Sequence, residues 1–154
     1  MDKIVDLLHG IELTPLKIIE GEKGNVMHAL KCTDVNFESF GESYFSTVVF
    51  NDVKGWKKHK RMVSNLIVPV GAVKFVFYDD REGSTTFGLF CEVILSINNY
   101  QRLTVQPGIW MAFQGASEDL NLLMNVASIP HDPLESIVDP VSSNNINYNF
   151  FPEL

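Results

Sequence analysis

Five cations and one imidazole fall between positions 54 and 61. Lys54, Lys57, Lys58, Lys60 and Arg61 surround His59, with Gly55 and Trp56 among them. Imidazole titrates near neutral pH, so His59 is the natural candidate for moving a proton. The neighbouring cations disfavour its charged form and would keep it neutral, as a base must be. The alternative is a solvent-facing histidine in a basic turn. Lys57 has three readings: a base if desolvation frees its amine, a contact to an anion, or a solvated charge. Lys54, within the basic run, reads as a charge partner for an anion such as a phosphate, with a solvated surface charge as the alternative; Lys23 and Arg81 read on their own as solvated surface charges. Trp56 and Trp110 offer either stacking faces for a base or sugar, or bulk for the core. Tyr78 adjoins Asp79 at a strand end, where a phenol donates a proton or simply packs. His131 reads as a loop residue despite its neighbour Asp132, and His9 and His28 have no partner in view. No dinucleotide-binding glycine motif, Walker loop or nucleophile elbow occurs.

These side chains need a scaffold, and the sequence reads as an all-β one. Runs rich in β-branched and aromatic residues occupy 16–20, 26–31, 44–50, 65–69, 72–78, 86–95, 102–106, 110–114 and 120–126. Glycines and Pro107 punctuate them. Val73, Phe75 and Phe77 alternate with Lys74, Val76 and Tyr78, which predicts one aromatic face and one mixed face. The tight link Val70-Gly71-Ala72 predicts a hairpin. Residues 2–8 predict a short helical turn. The basic run itself reads as a polar turn. Short strands without a long helical pattern favour a β-sandwich or barrel. Residues 130–154, rich in Asn, Pro and Asp, read as an irregular tail over the barrel, with a turn at Asn144-Asn145 and anchors at Tyr148, Phe150 and Phe151.

The 154 residues suit a single domain spanning 1–154. The net charge of −7 argues against a general nucleic-acid partner and makes the basic run locally meaningful. No apolar run is long enough to cross a membrane, and the N-terminus lacks the pattern of a signal peptide. Cys32 and Cys91 lack paired-thiol spacing, so free thiols in a reducing cytoplasm are the simpler expectation and one disulfide is the alternative.

The order and spacing of these segments resemble the dTDP-4-dehydrorhamnose 3,5-epimerase family and the related sugar 3,4-ketoisomerases. Lys54-Gly55-Trp56-Lys57 is similar to that family's Arg-Gly-Leu-His turn, with Lys57 at the position of the catalytic histidine. His59 matches the second histidine of the ketoisomerase His-x-His pair. Asp79-Asp80-Arg81 and Gly83-Ser84-Thr85-Thr86-Phe87-Gly88 resemble the Asp-x-Arg and Gly-Ser-Pro-Thr-Phe-Gly loop. Pro107-Gly108-Ile109-Trp110-Met111-Ala112-Phe113 is similar to Pro-Gly-Phe-Ala-His-Gly-Phe, with Met111 replacing histidine. Gly21-Glu22-Lys23-Gly24 resembles Asp-x-Arg-Gly, which puts Lys23 at a phosphate contact. The family's lysine falls at Ser64, its tyrosine within 123–129, and the aspartate beside its base near Ser128 or Asp132.

The resemblance implies a double-stranded β-helix (cupin jelly roll), a homodimer, and no cofactor. It also implies a nucleotide-linked 4-keto-6-deoxyhexose as substrate, epimerised or isomerised during bacterial surface polysaccharide synthesis. His59 and Lys57 would be catalytic, and Lys23, Lys54, Arg81 and Trp110 would bind substrate. Metal-binding cupins need several histidines and an acid, and this set retains only His59, so no metal is expected. The competing expectation is a non-catalytic cupin that binds a nucleotide sugar or serves as an interaction module. A phenol or acid across the barrel from His59 would discriminate the two.

Overall fold

The computed structural model describes residues 3–152. Two five-stranded antiparallel sheets face each other. The first runs β1 (Ile11–Pro15), β9 (Gln101–Val105), β6 (Ser64–Val70), β11 (Leu122–Ala127), β4 (Glu42–Thr47). The second runs β12 (Ser136–Val138), β5 (Val53–His59), β10 (Ile109–Gly115), β7 (Ala72–Asp79), β8 (Phe90–Ser96). A small ladder joins β2 (Ile18–Ile19) to β3 (Val26–Met27), and a 3₁₀ turn covers Val141–Ser143. This is the jelly roll expected from the sequence.

Side-chain alternation builds two apolar layers. Val73, Phe75 and Phe77 of β7 point between the sheets, where they join Leu66, Val68, Cys91, Val93, Leu103 and Leu123. Phe75 and Phe77 are stacked, with centroids 6.4 Å apart. The opposite face of the second sheet is also covered. Trp56, Val76, Phe90 and Trp110 pack under Ile146 and Phe150 of the C-terminal segment. Trp56 lies 5.7 Å from the Phe150 ring. That explains why Val76, on the mixed face, is fully buried. Tyr148 and Phe150 anchor the tail, Phe151 stays exposed, and Asn144 turns in the left-handed region at φ 57°.

Four local expectations are corrected. Residues 54–61 are not a turn, because most of them form β5. Charge and glycine give this stretch little strand preference of its own, but β10 and β12 pair with it on both sides. The Val70-Gly71-Ala72 link is not a hairpin. β6 pairs with β9 and β11 in one sheet and β7 with β10 and β8 in the other, so Gly71 carries the chain between sheets. Its φ of 79° and an ideal Cβ only 2.2 Å from Leu120 O make glycine the residue that fits. Residues 3–8 are irregular rather than helical, with Ile4 bridging Phe90; Asp2 lies outside the described residues. Strands β1 and β12 have no counterpart among the expected segments. Both cysteines are free. No helix among the described residues is long and apolar enough to cross a membrane.

Candidate active site

A cavity of about 280 Å³ lies between the sheets near β4 and β5. Lys54, Gly55, Lys57 and His59 of β5, with Met111 and Phe113 of β10, form one wall. Tyr44 and Ser46 of β4, Leu66 of β6, and Leu123 and Asn125 of β11 form the other. No carboxylate is among these lining side chains.

Strict alternation would put Lys54 and Lys57 on opposite faces of β5. The β5–β10 register shifts between Met111, which pairs with Lys57, and Phe113, which pairs with Lys54. Two residues of β5, Gly55 and Trp56, thus oppose one of β10, Ala112, a bulge that turns both lysines into the cavity. Gly55 sits at this shift, where an ideal Cβ would come 2.4 Å from Ala112 Cβ. Lys54 Nζ donates to Thr47 O at 2.6 Å, tying β5 to β4 across the opening. The Lys57 ammonium has no protein partner among the described residues.

His59 has a buried partner that the sequence did not identify. Its Nδ1 lies 2.6 Å from Glu135 Oε1. Glu135 Oε2 accepts the backbone N–H of Arg61 at 2.8 Å and of Met62 at 2.9 Å. Glu135 immediately precedes β12, whose first residue, Ser136, pairs with His59. Glu135 is 3% exposed. Burial pushes its pKa up, but the Arg61 N–H, His59 and the Met62 N–H outweigh burial and bring it to about 2. A charged carboxylate on Nδ1 fixes that nitrogen as the donor, so that in the neutral ring Nε2 is the acceptor. Three of the nearby cations are engaged elsewhere. Lys58 pairs with Asp80 at 3.0 Å, Lys60 donates to Leu134 O, and Arg61 meets Asp132 at 3.4 Å. The charge nearest the imidazole is therefore Glu135 rather than a lysine.

The facing wall supplies a phenol. Tyr44 is opposite Asn125 in the β4–β11 ladder, and Asn125 Nδ2 donates to Tyr44 Oη at 3.1 Å. Tyr44 was missed because nothing local distinguishes it; only the pairing of β4 with β11 brings it to this cavity. Tyr78, weighed from the sequence, packs against Phe90 with centroids 4.6 Å apart on the other side of its sheet.

Three expected ligand contacts lie away from the cavity. Arg81 donates from Nε and Nη2 to the fully buried Asp79 and from Nη2 to His9 O. Burial pushes the Asp79 pKa up, but Arg81, Ser84 and Thr86 hold it well below the ordinary carboxylate range. The Asp-x-Arg and Gly-Ser-Thr segments thus form a clasp that pins the 80–88 loop to the N-terminal segment. Trp110 faces the tail side, with Lys58 Nζ 4.9 Å from its ring and its indole N–H donating to Asp80 at 2.9 Å. Lys23 is exposed in the turn between β2 and β3.

A larger, open groove of about 730 Å³ separates the C-terminal segment from β7 and β8. Lys74, Glu92 and Tyr148 are bound to one another there: the Tyr148 hydroxyl donates to Glu92, and Lys74 lies 3.5 Å from the same carboxylate. The smaller cavity brings together His59, the Tyr44 phenol and the Lys57 ammonium. Its donor set does not suit a divalent metal, because its one imidazole is already bonded to Glu135 and stands among lysines, and no carboxylate lines the wall.

The chain matches the family described as FdtA: WxcM-like, C-terminal, over residues 9–146. It belongs to this family. A dTDP sugar isomerase from Desulfovibrio desulfuricans G20 is 36% identical, with a TM-score of 0.89 over 93% of this chain and 92% of that one. The probable low-salt glycan biosynthesis epimerase Agl13 of Haloferax volcanii is 24% identical over 127 residues, 81% of each chain. The sugar 3,4-ketoisomerase QdtA from Thermoanaerobacterium thermosaccharolyticum, crystallised with TDP, shares the fold at a TM-score of 0.70 and 22% identity over 85% of this chain and 89% of that one. This member of the FdtA family is thus a homologue of nucleotide-sugar isomerases and epimerases, as the resemblance read from the sequence implied.

Proposed function

We propose that this protein inverts a carbon beside the ketone of a nucleotide-linked 4-keto-6-deoxyhexose, by proton transfer through an enolate and without a cofactor. The observation that carries this reading is the His59–Glu135 pair on one wall of the cavity and the Tyr44 phenol on the other. His59 Nε2 takes the proton from the carbon next to the ketone, and the electron pair moves into an enolate. The imidazolium that forms is balanced by Glu135. The Lys57 ammonium stabilises the enolate oxygen. Tyr44 returns a proton to the same carbon from the opposite face; the imidazolium then releases its proton to solvent and the phenolate regains one from solvent at the cavity mouth. A base and an acid on facing walls suit inversion better than transfer of the ketone along the ring. Lys54, at the opening, is the cation best placed to meet the diphosphate. Arg81, Lys23 and Trp110 receive no role at the reacting carbon.

The pathway is proposed to be surface polysaccharide synthesis, and the assembly a homodimer. Exposed apolar side chains at the free edges of β4 and β12, Phe45 and Val138 among them, support self-association. Light scattering after gel filtration tests it, and a monomer at micromolar concentration would refute it.

The deciding experiment is proton NMR of dTDP-4-keto-6-deoxyglucose with the protein in deuterated water. Loss of the C3 or C5 signal, abolished by His59→Asn, supports epimerisation and names the carbon. Accumulation of a 3-keto sugar supports ketoisomerisation instead. Line broadening without exchange supports the non-catalytic binder. Neither exchange nor broadening with folded protein rules out this substrate.

A further inference from the structure

Asn125 is out of place in its wall. Its inward neighbours Leu66 and Leu123 are apolar, yet an amide stands between them and is 3% exposed. One end of that amide donates to Tyr44 Oη, and the other, Oδ1, is buried without a partner. A buried acceptor left unpaired is destabilising, and a leucine of similar volume would avoid it. Among native proteins such exceptions call for a local reason. Here the ladder supplies one, because Asn125 and Tyr44 are directly opposed and share a face.

We propose that Asn125 is the positioning residue of Tyr44, holding the phenol so that its own O–H is directed at the substrate. This rests on the reading of Tyr44 as the proton donor. A phenol oxygen both accepts and donates. By accepting from Asn125 Nδ2 it turns one lone pair to the wall and keeps its hydrogen for the cavity. As that hydrogen leaves, charge grows on the oxygen, and the N–H already aimed there strengthens its bond to it. Tyr44 is itself 43% exposed, so packing alone does not fix the ring. Asn125 touches no reacting atom in this scheme and acts only through the phenol.

The test uses the full chain and the sugar of the deuterium assay. Asn125→Leu is expected to melt at or above the wild-type temperature, because it removes an orphaned acceptor. Its KM stays within about threefold, while kcat for the epimerised product falls by roughly 10- to 100-fold and exchange of the substrate proton persists. On a Tyr44→Phe background the same substitution lowers kcat by less than about threefold, because the group it positions is gone. Asn125→Asp keeps the shape but replaces the donor with an acceptor that captures the phenol hydrogen, and its kcat falls as far. With ¹³C-labelled tyrosine, the Tyr44 Cζ resonance moves in Asn125→Leu. Full kcat in either Asn125 variant, or a loss that multiplies with Tyr44→Phe, overturns the assignment. An unmoved Tyr44 resonance with active wild-type protein overturns it alone. Wild-type protein that exchanges the substrate proton but forms no epimer sinks the reading of Tyr44 as acid, and this assignment with it.

Discussion

Glu135→Gln exchanges one buried oxygen for an NH₂ and removes one charge. In the variant, the amide oxygen still accepts from Arg61 and Met62, whose N–H groups lie 2.8 and 2.9 Å from Oε2. The NH₂ is then turned toward His59 Nδ1, which lies 2.6 Å from Oε1. Two donors cannot face each other, so Nδ1 loses its hydrogen and Nε2 carries it. Nε2 then has no lone pair for the substrate proton. The charge term adds to this. A carboxylate and an imidazolium with centres roughly 4 Å apart attract by about 4 kcal/mol at an effective dielectric near 20. Losing most of that in the transition state lowers kcat by about 10²- to 10³-fold. Substrate binding does not use the charge, so KM changes by less than about threefold. Deuterium incorporation at the sugar carbon, followed by NMR at saturating substrate, measures the effect. A Glu135→Gln rate within about fivefold of wild type would refute the pairing argument.

The same carboxylate leaves a signature in stability. Its folded pKa, about 2, lies below the ordinary 4.5. As pH falls, the unfolded chain therefore binds the proton first. The stabilisation is complete above the ordinary value and fades as pH drops toward the folded one. The difference is worth about 3 kcal/mol at neutral pH, or roughly 6–12 °C in Tm for a chain of this size. Thermal melts of Glu135→Gln should be lower at pH 7 and fall less steeply below about pH 5 than those of wild type. Parallel curves would contradict the assignment of this charge.

Tyr44→Phe should lose roughly 10²-fold or more in epimerised product while His59-dependent exchange of the substrate proton persists, as NMR in deuterated water can read; loss of exchange as well would mean that the phenol is not the second acid. Lys57→Met should lower kcat by about 10²-fold with little change in folding, because it removes the ammonium set against the enolate; steady-state kinetics and a melt check this, and unchanged kcat would leave Lys57 a bystander. Asp79→Ala should unfold the clasp rather than the chemistry, since Arg81, Ser84 and Thr86 all bond to this buried carboxylate. Breaking a buried pair costs about 3–5 kcal/mol, so calorimetry should show a large drop in Tm; nucleotide-sugar affinity of the protein that remains folded should hold, and selective loss of affinity with an unchanged Tm would move Arg81 back to the ligand. Because the Asp79 pKa is depressed, its stabilisation also fades as pH falls below the ordinary carboxylate range.

Much of this protein was legible in one dimension. Alternation at Val73, Phe75 and Phe77 marked the inner face of β7, because the strand period of two depends only on local geometry. The order of the glycine turns and basic segments carried the jelly roll and the sugar-nucleotide class. The single imidazole of the basic run, His59, stood out as the candidate base, because few other side chains titrate where such chemistry runs. What surrounds that base depended on the tertiary structure. β5 is a strand because β10 and β12 pair with it, against its own weak preference. Lys54 and Lys57 share a face because a bulge cancels the parity of their spacing. Glu135 reaches His59 from 76 residues away through the β12 ladder. Tyr44 and Asn125 meet across 81 residues because β4 and β11 are in register. Conversely, Arg81 resembled a ligand contact in sequence, yet folding sets it against Asp79. Local rules assign each residue a face. Which faces then meet across a cavity depends on sheet pairing, and no short window of sequence contains that information.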